Sequence, residues 1–350
     1  MTVSLKPALS RATNQSEGTP PAASGQSLDL ALQGGLAASA YLWGALDALL
    51  DSEPIKNGEL YIRRITGGSG GITQGAIIAH ALNRTGNPLQ AAHDQNIYWK
   101  AIMEAHRPDR AIQHYTHSFF NASFRAASAW MSMSPALLLS SGEDGTHDTV
   151  LQSHRHILNE IITHPEYLQQ GPVELFVSAV RKQNRYRSLT PGNIEPVIFS
   201  GNALSLEAIL ASTALGEQSP VIIDGVPYWD PAFHPTANPC LAPLYDNPAD
   251  HALIIAVDDV TKEIHFSPHD QRIECGHVFA EAKNLPGAEV LSLPYNKGLD
   301  EKARLDFSVA SLEGLRRLGF NDLLAWIRKF EQNHRRLPPE ITGTYETQVA

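Results

Sequence analysis

The hydrophobic pattern of this chain changes period at two glycine turns. Leu28-Asp-Leu-Ala-Leu-Gln33 reads as a buried strand and stops at Gly34-Gly35. From Ala37 to Leu50 the apolar positions take helical spacing, with Tyr41, Leu42, Leu46 and Leu49 available for a core face. A β-prone segment carrying Tyr61, Ile62 and Ile65 then meets Gly67-Gly68-Ser69-Gly70-Gly71 and passes into a second helical segment, Ile72 to Leu82. Strand, glycine turn, helix, repeated, predicts an α/β fold: a mainly parallel sheet between helical layers, with its chemistry at the carboxyl ends of the strands.

Further along, Asn87 to about His164 is helical in pattern and rich in aromatics and methionine: Tyr98-Trp99, Phe119-Phe120, Phe124, Trp130, Met131 and Met133. Most of these are expected in the core, and part of the segment is expected to cap the cleft over Ser69. Val173 to Val180 and Val197 to Phe199 read as strands, Ser205 to Ala214 as a helix, and His251 to Val257 as a late buried strand. Val221-Ile-Ile-Asp-Gly-Val-Pro-Tyr-Trp-Asp230 reads as a hairpin that turns at Asp224-Gly225 and runs on into a loop. Two helices are expected between Leu305 and Phe330, the first stopping at Gly319 and the second entered through Asn321. The organisation expected is a disordered leader over 1–27, a catalytic-type domain over 28–335 with its helical insertion at about 87–164, and a flexible tail over 336–350.

Composition narrows the function classes. A net charge of −10 argues against a general nucleic-acid binder, which would carry a basic stripe. The densest basic cluster, Arg181, Lys182, Arg185 and Arg187, reads as a solvated connection, although such a patch beside a lipid-facing cleft suits peripheral contact with anionic headgroups. Only Cys240 and Cys275 are present, which fits a reducing compartment and a cytoplasmic location; a leaderless secretion signal in the polar N-terminus stays open. His114, His117, His147, His154 and His156 have no cysteine or carboxylate at ligand spacing, so they are expected as surface or capping histidines, with no metal and no cofactor.

Ser69 falls where a strand meets a helix through glycines, the pattern of a nucleophile elbow. Small neighbours at Gly67 and Gly71 let the chain turn tightly and push the hydroxyl outward, while the following helix aims amides and a positive dipole end at any oxyanion. A phosphate-binding loop is the rival reading of the same glycines. No lysine follows at Walker spacing, and Gly34-Gly35 does not complete a dinucleotide fingerprint.

Four blocks in order resemble the bacterial branch of the patatin-like phospholipases: Leu30-Ala-Leu-Gln-Gly-Gly35 with Trp43-Gly-Ala-Leu-Asp47; Gly67-Gly-Ser-Gly-Gly71; Leu210-Ala-Ser-Thr-Ala214; and Asp224-Gly-Val-Pro-Tyr-Trp-Asp230 leading to Asn238-Pro239 and Pro243-Leu244. The resemblance implies a three-layer α/β/α sandwich and hydrolysis of lipid acyl esters through a Ser-Asp dyad, without a catalytic histidine. It assigns Ser69 as nucleophile and Asp230 as base, with an oxyanion hole at Gly34, Gly35, Leu36 and Gly70. Two blocks depart from the family. In Gly34-Gly35-Leu36-Ala37-Ala38-Ser39 the third glycine, the basic residue and the last glycine are absent, and Asp230 is followed by Pro231-Ala232 rather than Gly-Gly or Gly-Ala. Pro231 removes a backbone donor and biases Asp230 towards extended backbone, yet Asp230 rather than Asp224 is expected to bring its carboxylate nearer the Ser69 hydroxyl. A relative without activity, binding lipid or a protein partner in the same cleft, is the alternative reading.

Overall fold

The computed structural model describes residues 25–105, 146–187, 189, 192–234, 236–257, 281–293 and 306–334. Residues 1–24 of the leader, the middle of the insertion with Phe119, Phe120, Phe124, Trp130, Met131 and Met133, the tail and Cys275 lie outside the described residues, while the last two leader positions, Gln26 and Ser27, already belong to the first strand. Six strands form one sheet: β1 (Gln26–Leu32), β2 (Leu60–Gly67), β3 (Glu174–Lys182), β4 (Ile194–Phe199), β7 (His251–Ala256) and β8 (Ala288–Ser292). Their order is β4-β3-β2-β1-β7-β8, all parallel except β4, which runs antiparallel to β3. The hairpin β5 (Val221–Ile223) and β6 (Val226–Tyr228) stands apart as a two-stranded sheet.

β1 is central, and its alternation builds both faces. Leu28, Leu30 and Leu32 point into the larger apolar core, while Ala31 belongs to a second cluster on the opposite face with Leu244, Ile254 and Leu285. The larger core is roofed by α1 (Ala40–Leu50), α3 (Ser69–Thr85), α4 (Pro88–Ala105) and α9 (Val309–His334); the thinner layer includes α8 (Ala242–Tyr245). Between these run α2 (Glu53–Lys56), α5 (Thr146–Ile161), α6 (Glu166–Gln169) and α7 (Leu206–Ala211). The fold is mixed α/β with a mainly parallel central sheet and helices against it.

One helix, α9, replaces the two expected near the C-terminus. Gly319 does not end it, because that glycine is an interhelical contact: a Cβ there would lie 1.9 Å from the Tyr41 carbonyl oxygen on α1. Gly44 on α1 answers it, with a Cβ that would lie 1.7 Å from the Arg316 carbonyl. The two helices therefore touch backbone to backbone, and Arg316–Asp47 and Tyr41–Asp322 hydrogen bonds flank the crossing. Gly319→Ala should improve intrinsic helix propensity by about 1 kcal/mol yet lower stability overall, because overpacking of this kind costs about 1–3 kcal/mol or more. An unchanged or raised urea midpoint would contradict the close crossing.

The register sets the site. Leu32 of β1 lies opposite Gly67 of β2, so the Gly34-Gly35 turn and the glycine cluster around Ser69 emerge side by side at the carboxyl edge of the sheet.

Candidate active site

At the end of β2 the chain turns directly into α3, and Ser69, its first residue, has φ +53. That left-handed conformation costs a residue with a Cβ about 1–2 kcal/mol, so neighbours must hold it. The Ser69 N–H donates to Ser212 Oγ at 2.9 Å, and the Gly71 and Ile72 amides return to the Gly68 carbonyl at 3.1 and 3.3 Å. The glycines serve close approach: a Cβ on Gly71 would stand 2.5 Å from the Leu32 carbonyl oxygen, and one on Gly34 2.5 Å from Ser69 Cβ. The turn after β1 thus lies against the serine. Ser69 itself is 7% exposed.

Asp230 is brought in along the neighbouring strand β3. Trp229 exchanges two backbone hydrogen bonds with Val180 near the end of β3, each 2.9 Å, and the Asp230 N–H donates to the Ala214 carbonyl at 3.0 Å. Pro231 then opens a 3-10 turn, Pro231–Phe233, at a position where no backbone donor is needed, and the Asp230 carboxylate caps that turn by accepting the Ala232 N–H at 2.7 Å. Pro231 fits this cap without drawing Asp230 away from the elbow. Extended backbone (φ −54, ψ 134) is what a capping aspartate before proline adopts, and the proline ring packs on the elbow, where a Cβ on Gly68 would be 2.4 Å from Pro231 Cγ.

The Asp230 side chain is fully buried, and Oδ2 has no hydrogen-bond partner among the described residues. Burial pushes its carboxyl up to about 7, opposed by the Ala232 N–H and then by the Ser69 hydroxyl. That last influence places Ser69 Oγ beside the carboxylate, although the pair does not form a hydrogen bond of good geometry. Asp224 is elsewhere, exposed at the hairpin tip, where it and Gly225 take φ +50 and +76 as a hairpin of the primed type requires.

The four amides of the expected oxyanion hole divide into two pairs. Gly34 N–H donates to Asn238 Oδ1 at 3.0 Å, and Asn238 Nδ2 returns to the Gly34 carbonyl at 3.1 Å. Gly35 N–H donates to Ser39 Oγ at 3.0 Å. Both glycine amides therefore already have a side-chain acceptor. The Leu36 and Gly70 amides make no hydrogen bond to another described residue. Leu36 carries φ +56, so the turn tolerates strain where the glycine is missing.

Several functional-looking residues were not singled out from sequence. Ser212 and Asn238 lie inside the matching blocks, but their roles as partners of Ser69 and Gly34 appear only in space. Gln74 is wholly buried on α3: Nε2 donates to the Ser39 and Gly70 carbonyls at 3.0 and 3.3 Å, and Oε1 accepts Gln95 Nε2 and Trp99 Nε1. Ser178 Oγ is shared between the Gly67 and Ala237 carbonyls, joining β3, the elbow and the loop that carries Asn238. Lys182 leaves the solvated cluster expected of it: it pairs with Glu217 at 2.8 Å and lies 5.0 Å from the Trp229 ring. His154 is part-buried between helices. Its ring stands 3.4 Å from both Tyr98 Oη and Thr213 Oγ1, and burial lowers its pKa to about 4, so it is neutral at pH 7. Among the described residues no cluster of three or more His, Cys, Asp or Glu side chains is arranged to hold a metal, and no helix is long and apolar enough to cross a membrane.

No family model matches the chain, and no curated protein matches it. Among solved structures it is similar to ExoU from the type III secretion system of Pseudomonas aeruginosa in complex with SpcU (16% identity, TM-score 0.34, covering 86% of this chain and 52% of that one). It is similar also to the type III effector protein ExoU by itself (13%, 0.35, 87% and 53%) and to VipD from Legionella pneumophila (12%, 0.36, 87% and 67%). The chain thus spans about half the length of ExoU. Likeness at these identities and scores carries no chemistry to this chain.

Proposed function

We propose that this chain is a serine acyl hydrolase that cleaves lipid esters through a Ser69–Asp230 dyad. The observation that carries the reading is a strained serine at a helix N-terminus beside a fully buried carboxyl whose proton affinity has been raised to about 7. A base with a pKa near the working pH is the one best able to take a hydroxyl proton and return it. As Ser69 Oγ bonds to the ester carbonyl carbon, its proton passes to Asp230 and the carbonyl π pair moves onto oxygen. Collapse of that intermediate breaks the bond to the alcohol, which leaves with the proton from Asp230. Water then repeats the sequence on the acyl-enzyme: Asp230 takes its proton, the new C–O bond forms, and the fatty acid departs as Ser69 is reprotonated.

The developing oxyanion lies at the start of a 17-residue helix, near the uncommitted Leu36 and Gly70 amides. The lipid class rests on the four sequence blocks that resemble patatin-like phospholipases. Peripheral contact with a lipid surface belongs to the same proposal. The test is hydrolysis of short- and long-chain esters by wild type beside Ser69→Ala, together with capture by a fluorophosphonate probe. Capture at Ser69 and hydrolysis lost in Ser69→Ala support the proposal; equal rates in the two proteins remove it.

The commitment of the Gly34 and Gly35 amides favours a second reading, in which the chain binds lipid or a protein partner in the same cleft without turnover. An uncaptured Ser69 together with saturable binding to phospholipid vesicles would support it.

A further inference from the structure

Gly35 gives its amide to Ser39 Oγ, so that hydroxyl is an acceptor at one lone pair while its hydrogen has no acceptor among the described residues. Ser39 is 2% exposed, and leaving such a donor unused in the interior is costly. Its position says where the hydrogen can be used. A Cβ built on Gly70 would be 2.8 Å from Ser39 Oγ and 3.3 Å from Ser39 Cβ, so the hydroxyl lies directly against the residue that follows the nucleophile. The Gly70 and Leu36 amides beside it are uncommitted as well. Gln74 fixes this arrangement from behind: its amide group binds the Ser39 and Gly70 carbonyls together, and Gln95 and Trp99 lock that group in turn. Buried, oriented donors without partners around a nucleophile form a site for negative charge.

Resting on the hydrolase reading, we infer that the Ser39 hydroxyl is a third donor to the oxyanion, polarised by the Gly35 amide it accepts. It is a catalytic residue in the strict sense, since its hydrogen meets the reacting carbonyl oxygen. The Gly35 amide then acts through Ser39 Oγ, and commitment of that amide does not remove its influence on the transition state. No proton is transferred at Ser39; the hydrogen bond strengthens as the carbonyl oxygen gains charge and relaxes as the intermediate collapses.

The experiment compares full-length wild type, Ser69→Ala, Ser39→Ala and the nearly isosteric Ser39→Cys on matched oxoester and thionoester substrates. Thermal melting first establishes that each variant is folded. Loss of one oxyanion donor lowers kcat about 100- to 1,000-fold with little change in KM, because the bond is made only in the transition state. Sulfur is a poor hydrogen-bond acceptor, so the preference for oxoester over thionoester should also fall at least tenfold in both Ser39 variants, a change that a purely structural role would not produce. A folded Ser39→Ala with unchanged kcat and selectivity overturns the inference while leaving the hydrolase reading intact. A faster Ser39→Ala overturns it too, because Ser39 would then be masking the Gly35 amide. No Ser69-dependent turnover in wild type removes both.

Discussion

Asp230→Asn is expected to lower kcat/KM for ester hydrolysis by about ten-thousand-fold, the upper range for loss of a general base, while making the protein more stable above neutral pH. Both effects come from one physical fact. The carboxyl is fully buried, one oxygen is satisfied by the Ala232 N–H, and the other has no hydrogen-bond partner among the described residues. Desolvation raises its pKa from an ordinary 3.8 to about 7. In the unfolded chain the group ionises near its ordinary value, so between about pH 4 and pH 7 the native state holds a proton that the unfolded state has released. Stability therefore falls as pH rises through that window, and above pH 7 the full cost of the buried charge applies, on the order of 4 kcal/mol. Asparagine keeps the Oδ1 acceptor for Ala232, removes the charge and cannot accept the Ser69 proton. The same shift fixes the pH profile of wild type: kcat/KM should rise through an apparent pKa of about 7 and then level off. A rate already flat from pH 5 upward, or a variant retaining a tenth of the activity, would show that Asp230 is not the base. Asp224→Asn serves as the control: exposed at a hairpin tip, it should leave kcat/KM within about twofold.

Asp29→Ala is expected to cost about 3–5 kcal/mol of unfolding free energy, although Asp29 lies on β1 away from the elbow. Asp29 is 1% exposed and receives Arg64 Nε at 3.1 Å, with Arg63 Nη2 at 2.8 Å on the same carboxylate. Arg64 is 5% exposed and also donates to the Pro243, Leu244, Asp246 and Asn247 carbonyls. These bonds fasten the thin layer to the sheet, and that layer's chain begins just after Asn238, the clamp on Gly34. Removing the carboxylate strands a buried guanidinium, which is the costly half of a buried ion pair. Arg64→Met added to Asp29→Ala should recover part of the loss, because the uncompensated charge is then gone. Chemical denaturation reads both variants. A single-variant cost below about 1 kcal/mol would mean that Arg64 reaches water and that the carbonyls alone hold the layer.

What the sequence by itself determined is what near neighbours encode. The apolar run before Gly34, the β-to-helix change at Ser69 and the Asp224-Gly225 turn are all decided within a few residues by period and backbone preference, and each stands where the pattern puts it. The position of Ser69 at the head of α3 was legible for that reason. Only the tertiary structure decided which donors are free. Asn238 takes the Gly34 amide across 204 residues and Ser212 takes the Ser69 amide across 143, and no local pattern carries that information. The same holds for Gly319, where local preference favours a helix end but the Tyr41 carbonyl of a distant helix requires a residue without a side chain in mid-helix. His154 gave no local sign of its partners either; α5 turns it towards Tyr98 on α4 and Thr213 just after α7 only once those elements are in place. Local preferences are worth a few tenths of a kcal/mol to about 1 kcal/mol per residue. A buried donor left without an acceptor costs more than that, so packing overrides local preference wherever polar groups are enclosed.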